Sequence, residues 1–140
     1  MAQNEVVIID FETTGLSASY DRIIEVGAAV VNNSGIVDTF VTLCNPKVML
    51  PYFITDITGI TTSMLKGKPS PEDIMPSLRD FIGERPVLAH NASFDSQFLH
   101  SEMCRANLKM NNQFLCTMLL ARRLIHETRD HKLLLLSAIL

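Results

Sequence analysis

Apolar and polar positions along this chain fall into short runs whose spacing marks its elements. Val6-Val7-Ile8-Ile9 is a continuous apolar run that stops at Asp10 and predicts a buried central strand over 5–11. Residues 22–31, RIIEVGAAVV, are apolar and partly β-branched and predict a second strand. Asn32-Asn33-Ser34-Gly35 predicts a hairpin turn, and IVDTFVTLC (36–44) the returning third strand. Pro46 and Pro51 punctuate a loop, and 57–65 predicts short helical turns with Thr61 as an N-cap. Ser70-Pro71-Glu72-Asp73 combines a capping serine, a proline at the first helical position and acids in the first turn. The helix it opens runs to about Gly83 and buries Ile74, Leu78, Phe81 and Ile82. PVLAH (86–90) predicts a short buried strand, and 93–106 a helix with Phe94, Phe98 and Met103 at helical spacing. FLC (114–116) predicts a last strand, Thr117 the cap of a helix through Leu124, and Asp130 the start of a final helix. Three hairpin-linked strands followed by strands alternating with helices predict one α/β domain over 1–140, with a sheet of mixed direction.

Composition narrows the class. The 140 residues are 47% hydrophobic without a low-complexity tract, enough for one globular core. No apolar run reaches the roughly 18–20 residues of a membrane span, and Met1-Ala2-Gln3-Asn4-Glu5 lacks the basic and apolar regions of a signal peptide. Three cysteines, an odd count without a Cys-x-x-Cys pair, predict reduced, mostly buried thiols in a cytoplasmic protein. Net charge is −3, which excludes a global basic field, but it is uneven: residues 101–140 carry six Lys/Arg against three acids, and the remainder carries −6. An acidic part that holds cations beside a basic part that meets phosphates is consistent with this division.

The candidate chemistry sits where the first strand stops. Side chains two apart share a strand face, so Asp10 and Glu12 point the same way and Phe11 points into the core. Two adjacent carboxylates repel, and a hard divalent ion such as Mg²⁺ or Mn²⁺ relieves that repulsion. Thr13-Thr14-Gly15 then turns the chain, with Gly15 expected to supply a positive φ. The plain alternative is a solvated acidic turn. A second acid, Asp95, falls in the first turn of the helix after the short strand 86–90. If that strand is a parallel neighbour of the first, Asp10, Glu12 and Asp95 meet at one end of the sheet, where α/β proteins collect functional groups.

DFETTG (10–15) and HNASFD (90–95) together resemble the first two motifs of the DEDD 3′–5′ exonucleases, in the DnaQ-like branch that includes polymerase proofreading subunits and RNase T. IIEVGAAVV, ITGITTSML and CTMLLARRL match that family's connecting segments in order, so the resemblance covers nearly the whole chain. It implies a ribonuclease H-like fold, a mixed five-stranded sheet flanked by helices, with two Mg²⁺ or Mn²⁺ ions. Asp10 would bridge both ions, Glu12 would bind the one on the nucleophile side and Asp95 the other. Thr13, Thr14 and Gly15 would lie against the terminal nucleotide, Ile57 and Thr58 beside it, and Asn91 would orient backbone or sugar contacts. The implied substrate is a nucleic-acid 3′ end, single-stranded DNA before RNA, with a polymerase as partner and no membrane.

The resemblance also implies a third motif, a His acting as general base followed four or five residues later by a fourth metal-binding Asp. It is expected after the helix that here opens at His131-Lys132-Leu133, and the sequence given stops at Leu140. The expectation is therefore a portion of a longer exonuclease, with three of four metal carboxylates and no base. The alternative is an inactive module that binds nucleic acid or a polymerase. LLLLSAIL (133–140) is apolar nearly all round and predicts association through that helix, as a homodimer. Glu25, inside an apolar strand, is a candidate supporting acid, and His90 is read as structural.

Overall fold

The computed structural model describes residues 4–125. Its strands are β1 (Val6–Thr13), β2 (Ile23–Asn32), β3 (Gly35–Leu43), β4 (Val87–Ala89) and β5 (Phe114–Cys116), in the sheet order β3-β2-β1-β4-β5. β1, β2 and β3 pair antiparallel, while β4 lies parallel to β1 and β5 parallel to β4. The mixed sheet is thus as the sequence predicts, and the parallel pairing on which convergence of Asp10 and Asp95 depends is present.

Strand parity sorts the chain between two faces. Val7, Ile9 and Phe11 of β1 lie opposite Val30, Ala28 and Val26 of β2, and all six are buried. With Val87 and Ala89 they pack against α3 (Pro71–Ile82) and α4 (Ala92–Arg105), which contribute Met75, Leu78, Ile82, Phe98, Leu99 and Met103. The α3 start follows the predicted chemistry: Ser70 Oγ accepts from the Asp73 amide at 3.2 Å and the Asp73 carboxylate accepts from the Ser70 amide at 3.1 Å. The other face of β1 carries Ile8, Asp10 and Glu12, and Ile8 is 44% exposed.

One irregularity shapes the site. The β1–β2 register slips between Glu12 and Thr13, so Thr13 pairs with Ile23 and Ile24 is the extra residue of a bulge. Consecutive Ile23 and Ile24 are therefore both fully buried, in different places. Ile23 joins the main core, and Ile24 joins Leu50, Ile54, Ile60 and Leu65 beneath α1 (Tyr52–Thr58) and α2 (Thr62–Leu65).

Three expectations change. Helical structure begins at Tyr52 and not at 57, because β-branched Ile54, Thr55, Ile57 and Thr58 mask a helix that packing on Ile24 secures. Thr61 does cap α2. Thr117 is not a cap: it is the first residue of α5 (Thr117–Leu124), and its hydroxyl turns back to His90 Nδ1 at 3.1 Å and the Ala89 carbonyl at 3.4 Å. Only one of the three free cysteines, Cys44, is buried. The helix expected from Asp130, with His131 and the homodimer contact, lies outside the described residues. Among the described residues no helix is long and apolar enough to cross a membrane.

Candidate active site

In the β1–β4 register the last residue of β4, Ala89, falls beside Ile9, four residues short of the end of β1 at Thr13, so the Phe11 backbone amide lies past the last β1–β4 pair. That amide acts on both Asp10 and Asp95, favouring their ionised forms. Asp10 is solvent-exposed on the open face and Glu12 half-buried two residues on. Asp95 enters from the first turn of α4 and is 2% exposed. Burial is the main cause that lifts its carboxyl to about 7, the Asp10 charge the next, and Glu12 adds to both. Partial desolvation of the carboxyl likewise raises Asp10, exposed though the residue is, and Glu12, and Glu12 is raised further by Asp10 and by Glu25. Glu25 stands directly opposite Glu12 in the β1–β2 register. Four carboxyls thus form a row across the sheet end: Asp95, Asp10, Glu12, Glu25.

Asp95 Oδ1 is buried with no hydrogen-bond partner among the described residues. Leaving such an acceptor bare costs roughly 1–3 kcal/mol, and more when it carries charge. The oxygen-only donor set and the charge crowding suit a hard divalent cation. Among the described residues no three His, Cys, Asp or Glu side chains close into a ready-made metal cage. The carboxyls therefore fit a cation as one side of a coordination shell, not as a complete one.

The turn after Glu12 is held by its own side chains. The Thr13 hydroxyl donates to the Gly15 carbonyl at 2.6 Å, and Thr14 Oγ1 both meets Asp21 Oδ1 at 3.2 Å and accepts from the Arg22 amide at 3.0 Å. Both threonines are buried. Gly15 does not have the positive φ expected of it. It is glycine because a Cβ there would fall on the Asp21 carboxylate, 2.6 Å from its Cγ. Asp21 has little room to move, since Ser17 N donates to it at 2.9 Å. Gly15→Ala is expected to cost about 1–3 kcal/mol as an overpacked site. Urea unfolding measures this, and the loss should shrink when Asp21 is also replaced by Ala; an undiminished loss would place the strain elsewhere.

A buried ion-pair network, which the pattern reading passed over, anchors this turn to the helices. Glu102 of α4 is fully buried; it accepts from Arg22 Nε at 2.8 Å and Nη2 at 3.0 Å, and forms an ion pair with Arg105 Nη1 at 3.1 Å. Arg22 also meets Glu72 of α3 at 2.7 Å, and Arg105 donates to the Ala18 and Ser19 carbonyls at 3.1 Å each. The hint in the sequence was a Glu inside the apolar face of 93–106. Of the remaining candidates, Thr58 is engaged locally, donating to the Ile54 carbonyl at 2.7 Å and accepting from Ile60 N at 3.1 Å, while Ile57 is 75% exposed. Asn91 is exposed and left-handed at the start of α4. His90, bonded to Thr117, also acts on Asp10, so it faces the acidic row as well as bracing α5.

Comparison with known proteins places the chain in a family. The exonuclease family profile, that of RNase T, matches residues 7–140. The chain is 41% identical over 131 residues to the PolC-type DNA polymerase III of Caldanaerobacter subterraneus and 38% identical over 136 residues to that of Bacillus subtilis. It aligns over 94% and 95% of its own length there, but spans only 9% of each of those polymerases. Among solved structures, exonuclease I in its complex with SSB-Ct superposes with a TM-score of 0.77 at 18% identity, over 86% of this chain and 30% of that one. Exonuclease X in complex with 5′ overhanging duplex DNA superposes with a TM-score of 0.68 at 34% identity, over 89% of this chain and 66% of that one. The sheet is therefore of the ribonuclease H-like kind, and this chain belongs to the exonuclease family of the DEDD superfamily.

Proposed function

We propose that Asp10, Glu12 and Asp95 hold divalent cations, Mg²⁺ or Mn²⁺, and that the domain hydrolyses phosphodiester bonds from the 3′ end of single-stranded DNA. The observation that carries this reading is Asp95: a buried carboxyl, its Oδ1 unpartnered, held against Asp10 at the open end of the sheet. A group so placed is unstable alone and satisfied by a cation. A divalent ion held by these carboxylates would supply charge neutralisation at the phosphoryl oxygens and would make a bound water more acidic than bulk water.

The chain's own residues set the geometry around it. The rigid end of β1 fixes Asp10 and Glu12 on one face, and α4 carries Asp95 to the same place from a different element. The Phe11 amide orients two of the three carboxyls. Backbone groups of Thr13, Thr14 and Gly15, rather than the engaged hydroxyls, receive the terminal nucleotide, with Ile57, Thr58 and Asn91 at its sides. DNA is favoured over RNA because the relatives over this segment are DNA polymerases and because exonuclease X was solved with DNA. The same kinship favours proofreading or repair in the cytoplasm, in concert with a polymerase.

Calorimetric titration of Mn²⁺ tests the reading. Asp10→Asn and Asp95→Asn should each weaken binding tenfold or more against the wild type, since each removes a charge and a ligand from the same ion. Equal affinity across the three proteins would remove these carboxyls from the metal site.

A further inference from the structure

We propose that the outer face of α1 is a stacking surface for the unpaired bases of a nucleic-acid strand whose 3′ end lies in the acidic site; this rests on the function proposed above and extends it to the strand's upstream part. α1 turns Ile54 inward onto Ile24 and leaves Tyr52, Phe53 and Ile57 outward at 82%, 56% and 75% exposure, with Met49 at 90% just before them. Both tyrosines and seven phenylalanines of the chain lie within the described residues, and Phe53 is the one phenylalanine among them that is exposed. A fold that buries or half-buries its other phenylalanines and then places Tyr and Phe side by side on a surface helix has left an unsatisfied apolar face.

Charge and position select the occupant. Segment 44–69 carries Lys47, Lys66 and Lys68, all outside α1, against one acid, Asp56, which is exposed on α1 itself, a net +2 in a chain of net −3. All three lysines are exposed. Lys66 lines a groove of about 370 Å³ with Val48, Leu50, Thr62, Ser63 and Leu65, and Leu50 and Leu65 belong to the cluster that α1 covers, so this cation flanks the helix. Aromatic rings interleaved with cations suit single-stranded nucleic acid: the rings stack on bases of any sequence while the cations meet phosphates. The register joins this surface to the site. Leu43, which packs against the cluster beneath α1, pairs with Glu25, and Glu25 pairs with Glu12. A strand leaving the carboxyl row on this side of the sheet therefore meets α1 next.

Fluorescence anisotropy with 5′-labelled oligothymidylates in calcium buffer tests this on the full chain. The wild type should bind a twelve-nucleotide strand at least tenfold tighter than a three-nucleotide one. Replacing Tyr52→Ala and Phe53→Ala together should remove about tenfold of that gain and change the three-nucleotide affinity less than twofold. Lys66→Glu should weaken the longer strand and lower the slope of log affinity on log salt by about one. Retention of the length gain in the double variant overturns the proposal, as does a wild type with no length gain. Equal losses on both strands would also overturn it, by assigning the rings to the terminal pocket. A double variant that keeps the gain but sediments as a smaller species would make α1 a protein interface instead. Failure of the wild type to bind the three-nucleotide strand, or of Asp10→Asn to weaken it, would strike the proposed function itself. Melting temperatures of the variants should match the wild type, because both rings face solvent.

Discussion

Asp95→Asn is expected to raise the melting temperature of the metal-free protein at pH 8 by roughly 10 °C while weakening Mn²⁺ binding tenfold or more. The Asp95 carboxyl titrates near 3.8 when unfolded and at about 7 in the folded chain. Between those values the folded state keeps a proton that the unfolded state has lost. Stability therefore falls as pH rises from about 4 to about 7, and the full deficit persists above that. At about 1.36 kcal/mol per pKa unit the deficit is on the order of 4 kcal/mol, and a domain of this size shifts by a few degrees per kcal/mol. Asp10 and Glu12 are raised in the same sense, so they add to the trend, but water screens both. Asparagine keeps the shape and removes the ionisation. Thermal melts at pH 5 and pH 8 decide the matter: the wild type should lose stability across that interval, the variant should lose much less, retaining only the smaller Asp10 and Glu12 contribution, and Mn²⁺ should rescue only the wild type. Identical melts at pH 8 would mean that Asp95 is not ionised at a cost.

Glu102→Ala should be the most damaging single change in the described fold, costing about 3–5 kcal/mol. Glu102 is 0% exposed and neutralises Arg22 and Arg105, and it also accepts from Ile23 N at 3.3 Å. Deleting it leaves Arg22 with Glu72 alone and Arg105 with only backbone carbonyls, and strips the buried Ile23 amide of its carboxylate acceptor. Because Arg22 follows the turn 13–21 and Arg105 ties α4 to the Ala18 and Ser19 carbonyls, the damage should concentrate at that turn. Amide exchange should accelerate at residues 14–24 well before the rest of the sheet opens, and urea midpoints should fall accordingly. Replacing all three, Glu102→Leu with Arg22→Met and Arg105→Met, should recover much of the loss, since a packed apolar trio carries no unpaired charge. If the single variant unfolds with the wild-type midpoint, the network is ornamental.

Much of this protein is determined locally. The apolar run Val6–Ile9, the Asn-Asn-Ser-Gly turn and the Ser70-Pro71 start each state their structure through short-range rules, strand parity, turn chemistry and capping, that act over a few residues. Asp10, Glu12 and Asp95 were legible for the same reason: each sits at a strand end or helix start that the sequence marks. What required the tertiary structure are features joining distant residues or overriding local preference. Helix α1 forms from β-branched residues because Ile24, displaced by a bulge, gives it something to pack on. Gly15 is explained by the approach of Asp21 and not by its own backbone angle. Glu102 meets Arg22 across 80 residues of chain, a partnership no periodicity encodes. The unpartnered Oδ1 of Asp95 likewise exists only once α4 is docked, because a lone atom's lack of a donor depends on everything folded around it.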